Sequence, residues 1–226
     1  MAGTVMAALY TYYYTDRSTA DIFKYFDDSK LMSDALWHKP GDFFRMLFGF
    51  DNDNTYFSEH YYNHMNNWFR KYESNLYNDS HTIIRINAVM RIFSFGSYHV
   101  HTIFACMFSM GGLVGIYRAF KSFFIGKERY LSWFIFLWPS VLFWGSGVLK
   151  EAFLLFGIGI LFVALLDAEM KSKSFRVFCF VLGLVLLLYL KVYVLMALLP
   201  GLISFLILRK RKMERPLIVY ASVFLL

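Results

Sequence analysis

The sequence predicts an all-α protein: a polytopic bundle of transmembrane helices with an α-helical extracytoplasmic loop. Its 226 residues are 58% hydrophobic and their mean hydropathy is +0.45, whereas a soluble domain is roughly 45–50% apolar. From residue 98 onward, apolar stretches alternate with short basic clusters, while residues 15–97 are polar, acidic and rich in aromatic side chains. Aromatic rings with a polar tip favour the membrane–water interface.

Five apolar stretches are long enough, or nearly so, to cross a bilayer. A spanning helix needs roughly 17–25 apolar residues. The predicted spans are A at 98–117, B at 130–147, C at 152–168, D at 175–190 and E at 192–208. Together they make up the predicted transmembrane region, 98–208.

Basic residues follow spans A, C and E and predict the orientation of the bundle, because cytoplasmic loops carry an excess of Lys and Arg. Twelve of the 23 Lys and Arg residues lie in these three clusters, which are Arg118, Lys121, Lys127, Arg129; Lys171, Lys173, Arg176; and Arg209, Lys210, Arg211, Lys212, Arg215. We therefore expect these loops in the cytoplasm and residues 15–97 on the other side. The same clustering argues against nucleic-acid binding as the reason for the net charge of +7.

The two ends of the chain predict a fragment of a longer protein. Residues 1–14 are apolar but too short to span, so we expect a partial first span or its outer end. Residues 209–226 are expected to form a cytoplasmic basic turn followed by the start of a truncated span.

The extracytoplasmic loop, 15–97, is predicted to contain two amphipathic helices separated by turns. One helix runs from Ile22 to Leu36, with Asp21 or Ser18 as its N-cap. The other runs from about His81 to Phe95, and its apolar face suits the plane of the membrane interface. That face consists of Ile84, Ala88, Ile92 and Phe95, and turns are predicted at 39–42, 51–54 and 78–80.

Two patterns in this loop are reminiscent of metal sites but lack a complete ligand set. Counted from Asp51, the stretch that begins DNDNTYFSEH has neither the glycine at the sixth position nor the glutamate at the twelfth that a calcium loop requires. His60 and His64 are spaced for one helix face, but no third ligand accompanies them. We predict no metal site there, and the one cofactor considered is a divalent cation held by other carboxylates of the loop.

Charged residues at the ends of predicted spans are candidate substrate-binding positions, because charges are costly there and often functional. The turn 145–151 contains two glycines and ends in Lys150 and Glu151, and its exposed amides would suit a phosphate. Lys191 and Tyr193 separate spans D and E. Lysines that only extend to the interface, without a ligand, explain the pattern equally well.

Carboxylates early in the loop are the candidate catalytic groups. Asp21, Asp27 and Asp28 follow the apolar N-terminal piece and are expected on the same side of the membrane as Lys150 and Lys191. A carboxylate held near the membrane surface can act as a general base or hold a metal ion.

This layout resembles that of bacterial GT-C-type membrane glycosyltransferases, over most of the chain. The matching features are Asp21 in ADIFKYFDD, the Arg85-to-Arg91 helix before the next span, Pro139 to Glu151 with its polar turn, and Lys191 before a span holding Pro200. The resemblance implies a polyprenyl-phosphate-linked sugar donor, a contact with membrane lipid, and cell-surface glycan assembly at the bacterial inner (plasma) membrane.

The same resemblance implies roles for residues. Asp21 would be the first choice for the base that activates the acceptor, with Asp27 and Asp28 as rivals. Lys150 and Lys191 would hold the donor phosphate. Glu151, Tyr193 and Arg85 complete the predicted substrate-binding set.

Two other functions fit the sequence. One is a polysaccharide polymerase that joins lipid-linked repeat units, and the other is a non-catalytic membrane protein. A transporter is disfavoured because the predicted spans carry almost no charge at their centres. Neither GxxxxGK[ST] nor GxGxxG occurs, so no soluble nucleotide-binding motif is present.

Overall fold

A computed structural model describes residues 2–13, 16–69, 79–167, 169–211 and 216–224 of the chain. Within these residues the protein is all-helical, with 83% helix and no strands. The α-helices are α1 Ala2–Tyr13, α2 Asp21–His38, α3 Pro40–Phe48, α4 Thr55–His60, α5 Asp79–Ser94, α6 Tyr98–Lys121, α7 Glu128–Phe136, α8 Pro139–Gly145, α9 Lys150–Leu166, α10 Lys173–Arg211 and α11 Pro216–Phe224, and short 3₁₀ turns lie at Arg17–Thr19 and Tyr62–His64. The chain forms two compact units, Met1–Leu190 and Lys191–Leu226, and each is described by itself.

Helices α2 to α5 form a helical layer whose hydrophobic core continues into α1, α6 and α9. Both predicted amphipathic helices are confirmed, as α2 and α5, and they pack against each other. The core residues of the layer are fully buried aromatic and aliphatic side chains, among them Phe23, Tyr25, Met32, Phe43, Phe57, Tyr62, Trp68, Ile83 and Ile84. The layer is therefore held by packing in the protein interior and not only by a membrane surface.

The apolar face of α5 is covered by protein. Ile84 and Ala88 are fully buried in the core that α2 shares, so the prediction that this face lies against the membrane interface is wrong for these positions. Phe95 lies beyond the end of the helix at a positive φ of 50° and is 95% exposed. Packing of α5 on α2 removes more of this apolar face from water than the membrane interface would.

Three predicted local features of the layer are corrected and a fourth is confirmed. The N-cap of α2 is Ala20, which makes no side-chain cap hydrogen bond. Asp21 is the first helical residue, a position where the helix dipole stabilises its negative charge. The predicted turn 39–42 is reduced to Lys39, because Pro40 has the backbone angle of a first helical residue and starts α3. At 51–54 the turn is confirmed, with Asn54 as a side-chain N-cap. In the turn at 78–80, Asn78 lies outside the described residues and Asp79 opens α5.

Helices α6 and α9 run in the same direction and pack closely. The Phe108 ring lies 5.2 Å from that of Phe153, and further along both helices the Phe120 ring lies 5.3 Å from that of Phe162. A Cβ placed on Gly112 would collide with the carbonyl group of Leu155, so only glycine permits this approach. Small residues serve the same purpose in many membrane helix pairs.

Among the residues that the structure describes, two helices are long and apolar enough to cross a membrane: Tyr98–Lys121 and Lys173–Leu208. The pair α8 and α9, bent by 112°, adds a third if it counts as one broken span. Predicted span A corresponds to α6 and span C to α9. Spans D and E lie within α10, whose backbone leaves helical geometry at Lys191. The five-span arrangement stays a prediction.

Predicted span B is interrupted. It corresponds to α7 and α8, which are separated at Leu137 and Trp138. Trp138 has an extended backbone, as the residue before Pro139 is sterically biased to have. Proline thus divides a stretch whose length and hydropathy suggest one helix.

Candidate functional site

The three predicted catalytic carboxylates lie on α2 in different environments, and Asp28 is the most enclosed. It is 1% exposed and accepts hydrogen bonds from the backbone N–H groups of Asn66 (2.7 Å) and Asn67 (2.8 Å) and from the Asn66 side-chain amide (3.0 Å). Burial raises the pKa of the Asp28 carboxyl, and the three donors partly oppose that rise. Through these hydrogen bonds Asp28 holds the segment after the 3₁₀ turn Tyr62–His64 against α2.

Asp27 forms a two-pronged ion pair with Arg17. The Arg17 Nε and Nη2 atoms donate to the two carboxylate oxygens at 3.0 and 2.8 Å. The bond to Asp27 raises the pKa of the Arg17 guanidinium, which also lies 4.4 Å from the centre of the Phe23 ring. The pair secures the chain that enters α2, and it engages both oxygens of Asp27.

Asp21 is the most accessible of the three, with a side chain that is 52% exposed. Its Oδ1 atom lies 3.8 Å from the ammonium of Lys24 and accepts a 3.3 Å hydrogen bond from the Asn67 side-chain amide. Because Asn67 also donates its backbone N–H to Asp28, it links the accessible carboxylate to the buried one. Asp21, Lys24 and Asn67 therefore form a polar cluster at the start of α2.

The glycine turn before α9 lies beneath α2 and is closed to solvent. Every residue from Gly145 to Lys150 is buried. A Cβ on Gly147 would lie 2.7 Å from Met6 and 3.1 Å from Ile22, and one on Gly145 would lie 2.6 Å from the Ser109 hydroxyl. The two glycines permit close packing here, and they do not present their amides at a surface as the sequence interpretation required.

Lys150 faces the helical layer. Its ammonium lies 2.6 Å from the Asp79 carboxylate, with the two side chains 8% and 25% exposed, and 5.1 Å from the centre of the Tyr25 ring. The pair connects the first turn of α9 to the first turn of α5. Tyr25 lies one helical turn from Asp21, so the predicted lysine and the predicted base belong to one neighbourhood.

Glu151 faces a different side of the same helix. It lines a cavity of about 430 Å³ between α8 and α9 together with Ser140, Trp144 and Leu155. Adjacent positions near the start of a helix point in different directions. Lys150 and Glu151 are predicted to bind the substrate together. In the structure Lys150 contacts Asp79, whereas Glu151 lines the cavity between α8 and α9.

Arg85 lies within the layer. Its Nε atom donates to the carbonyl oxygen of Met46 at 2.8 Å, near the end of α3, where a cation is favoured by the helix dipole. Its guanidinium also lies 5.7 Å from the Trp68 ring, and burial lowers its pKa. The structure gives Arg85 a packing role and does not place it beside Asp21.

Lys191 and Tyr193 belong to the second unit. The Lys191 ammonium lies 5.9 Å from the centre of the Tyr193 ring. Lys191 has φ −155° and ψ 85°, so it forms the break in α10 that the sequence predicts between spans D and E. Their predicted role in substrate binding stays a prediction.

The part of the chain that the structure describes contains no group of three or more His, Cys, Asp and Glu residues suited to a metal ion. His60 ends α4 and His64 lies in the following 3₁₀ turn, with Tyr61 between them in neither element. The two histidines therefore do not share one helix face.

Three polar residues that join distant segments of the structure are not predicted from the sequence. Asn67 and Asp79 find their partners 46 and 71 positions away, which no local spacing indicates. Asp167 is 4% exposed and accepts a 2.9 Å bond from Arg118, which joins the end of α9 to the end of α6. An acidic residue amid the basic clusters is the only local signal for Asp167.

Of the three predicted catalytic carboxylates, Asp21 is the most accessible, while Asp27 and Asp28 are held by shorter internal hydrogen bonds. No protein-family model matches the chain, and no curated protein or solved structure is similar to it. Function must therefore be argued from the residues themselves.

Proposed function

We propose that this chain is part of an integral membrane glycosyltransferase that takes a sugar from a polyprenyl-phosphate donor for cell-surface glycan assembly. The observation that carries the proposal is the position of Asp21. Its carboxylate is accessible, and its helix lies directly on the turn before α9 through the contacts Ile22–Gly147 and Tyr25–Lys150. The two segments that the resemblance assigns to acceptor activation and donor binding are thus neighbours.

In this proposal Asp21 acts as the general base. It accepts the proton of an acceptor hydroxyl while that oxygen attacks the anomeric carbon and the bond to the polyprenyl phosphate breaks. Such proton transfer contributes typically about 10²–10⁴-fold to a rate. Lys24, whose side chain is 21% exposed and next to Asp21, offers a positive charge for the departing phosphate.

Lys150 has two alternative roles in the same mechanism. As a donor ligand, its ammonium would have to exchange Asp79 for the phosphate. As a structural cation, it would keep its ion pair with Asp79 and hold α9 beneath α2 and α5. The second role agrees with its 8% exposure, and the two roles differ in the effect of removing both charges.

The proposed topology places α2 to α5 on the extracytoplasmic side and the basic clusters in the cytoplasm. Two features support it. Arg118 from the cluster after α6 bonds to Asp167 at 2.9 Å, and Arg176 from the cluster after α9 bonds to the Asp167 carbonyl at 3.0 Å. The first two basic clusters therefore meet at one end of the helices, as a common cytoplasmic location requires.

The test uses the full-length gene in a strain from which it has been deleted. Asp21→Asn should remove from the glycan the sugar that the wild-type gene adds and leave the amount of protein in the membrane unchanged. Asp34→Asn is the matched control, because Asp34 lies exposed on the same helix. The measurements are surface glycans, lipid-linked sugars and membrane protein level.

Each outcome separates the candidate functions. Loss of one sugar from the glycan with Asp21→Asn, but not with Asp34→Asn, supports the glycosyltransferase. Accumulation of single lipid-linked repeat units in the deletion strain would instead identify a polymerase. A glycan unchanged by the deletion would reject both enzymatic functions.

A further inference from the structure

Helix α7 lies beside the last turns of α6. Its first residue, Glu128, lines the same cleft as Tyr117 and Lys121 of α6. Its last residue, Phe136, has its ring 6.0 Å from that of Tyr117. Side chains from both ends of α7 thus contact the last turns of α6.

The length of α7 agrees with this position. Nine residues make a helix of about 13.5 Å, less than half of the roughly 30 Å hydrocarbon core. In addition, the chain turns sharply before α7 at Gly126, where φ is +76°. The segment from residue 122 to residue 138, which we name the anchor segment, therefore stays near one end of α6.

The anchor segment exposes an unusual amount of apolar and aromatic surface. The exposed side chains are Phe123, Phe124, Ile125, Tyr130, Trp133, Phe134, Leu137 and Trp138, and their exposed fractions run from 42% to 84%. Only Leu131 of α7 is buried. Trp and Tyr at such density are typical of side chains at the level of the lipid headgroups.

Cations border this apolar surface. Lys127 and Arg129 are exposed and flank the start of α7, and Lys121 is exposed at the end of α6. The guanidinium of Arg129 lies 4.9 Å from the centre of the Trp133 ring. Apolar rings beside exposed cations match the two components of an anionic bilayer surface, which are acyl chains and phosphates.

We propose that the anchor segment lies in the plane of an anionic membrane surface, with its aromatic side chains among the headgroups and Lys127 and Arg129 on lipid phosphates. This inference replaces predicted span B with an in-plane helix followed by the broken pair α8 and α9. It does not depend on the proposed glycosyltransferase activity.

The first test measures depth. The full chain, with Cys106→Ser and Cys179→Ser to remove both native thiols, carries a nitroxide at Tyr130→Cys, Phe134→Cys or Leu137→Cys in vesicles of phosphatidylcholine and phosphatidylglycerol. Accessibility to oxygen and to a nickel complex reports the depth of each label. An in-plane helix gives all three labels one shallow depth, within about 5–10 Å of the headgroup boundary.

A spanning helix gives a different result with the same labels. Their depth would then increase by about 1.5 Å per residue from position 130 to position 137, so that Leu137→Cys approaches the bilayer centre. That gradient would overturn the proposal, whichever way the rest of the chain is oriented.

The second test separates lipid phosphates from general charge. In the labelled Phe134→Cys protein, adding phosphatidylglycerol to phosphatidylcholine vesicles should move the label deeper and slow its motion. Lys127→Glu with Arg129→Glu should abolish this response. Lys171→Glu with Lys173→Glu, an equal charge change at exposed residues outside the anchor segment, should preserve it. Equal responses of the two double variants would overturn the phosphate contact.

Discussion

Lys150→Met should destabilise the fold by breaking its buried ion pair with Asp79. The substitution keeps most of the side-chain volume and removes the ammonium that lies 2.6 Å from the carboxylate. Loss of one partner of a buried pair costs roughly 3–5 kcal/mol. The Asp79 side chain is 25% exposed, so the lower end applies, about 3 kcal/mol. For a chain of this size that corresponds to a fall in Tm of roughly 6–12 °C.

The double variant Lys150→Met, Asp79→Asn should recover most of this loss. It removes both charges, and replacing a whole buried pair with neutral groups is often close to neutral in stability. The assay is thermal unfolding of the purified protein in one detergent, followed by tryptophan fluorescence, for the wild type, both single variants and the double variant. The cycle gives the interaction energy of the pair directly.

Two results of this cycle bear on the argument. If Lys150→Met has the same Tm as the wild type, the ion pair does not secure α9 against α5 and that structural role is refuted. If the double variant is stable but inactive in glycan synthesis, Lys150 also binds the donor. Recovery of both stability and glycan synthesis would leave Lys150 a purely structural cation.

Three further changes follow from the packing. Gly112→Ala should cost about 1–3 kcal/mol by forcing α6 away from α9, whereas Gly111→Ala, whose Cβ meets only ordinary contacts at 3.5 Å, should melt near the wild-type Tm. Asp28→Ala should cost about 2–4 kcal/mol because it leaves two backbone donors without an acceptor, and Asp34→Ala in the same melting assay should cost little. Burial lowers the pKa of His81 below its ordinary 6.5, so the unfolded chain binds more protons as the pH falls below that value. Stability should therefore decline from about pH 6.5 toward the lowered pKa, and the decline should be weaker in His81→Phe.

Much of the helical layer could be predicted from sequence because its helices carry their own signals. The period of apolar residues predicts 22–36, and α2 covers Asp21–His38. The same reasoning predicts 81–95, and α5 covers Asp79–Ser94. Hydropathy alone likewise locates α6 and α9, because a long apolar run in this context is satisfied only by a helix.

Contacts between distant segments could not be predicted in the same way. The partner of Lys150 is Asp79, 71 positions earlier in the chain, and a turn-forming segment gives no sign of such a pair. The role of the two glycines in the buried turn could not be predicted either. A glycine that exposes an amide and a glycine that permits close packing look alike in sequence. Only the neighbours Met6 and Ile22 decide between them.

Span B shows a different limit. Hydropathy sums the apolar character of 130–147 and does not register that Pro139 fixes an extended residue before it. Nor does it distinguish aromatic residues that cross a bilayer from aromatic residues that lie at its surface, since both raise the apolar fraction. The depth of labels at positions 130, 134 and 137 in a bilayer would make that distinction.

The distribution of engaged charges narrows the choice of functional residue. Asp27 is held by Arg17 and Asp28 by three donors, while Arg85 is held by the Met46 carbonyl. Side chains held in this way stabilise the layer, and their loss should impair folding and activity together. Asp21 is half-exposed and lies at the edge of the layer with longer contacts, so its loss should lower Tm less than the loss of Asp28 and should act mainly on the chemistry. The proposed glycosyltransferase therefore depends on whether activity and stability separate at Asp21 and stay coupled at Asp28.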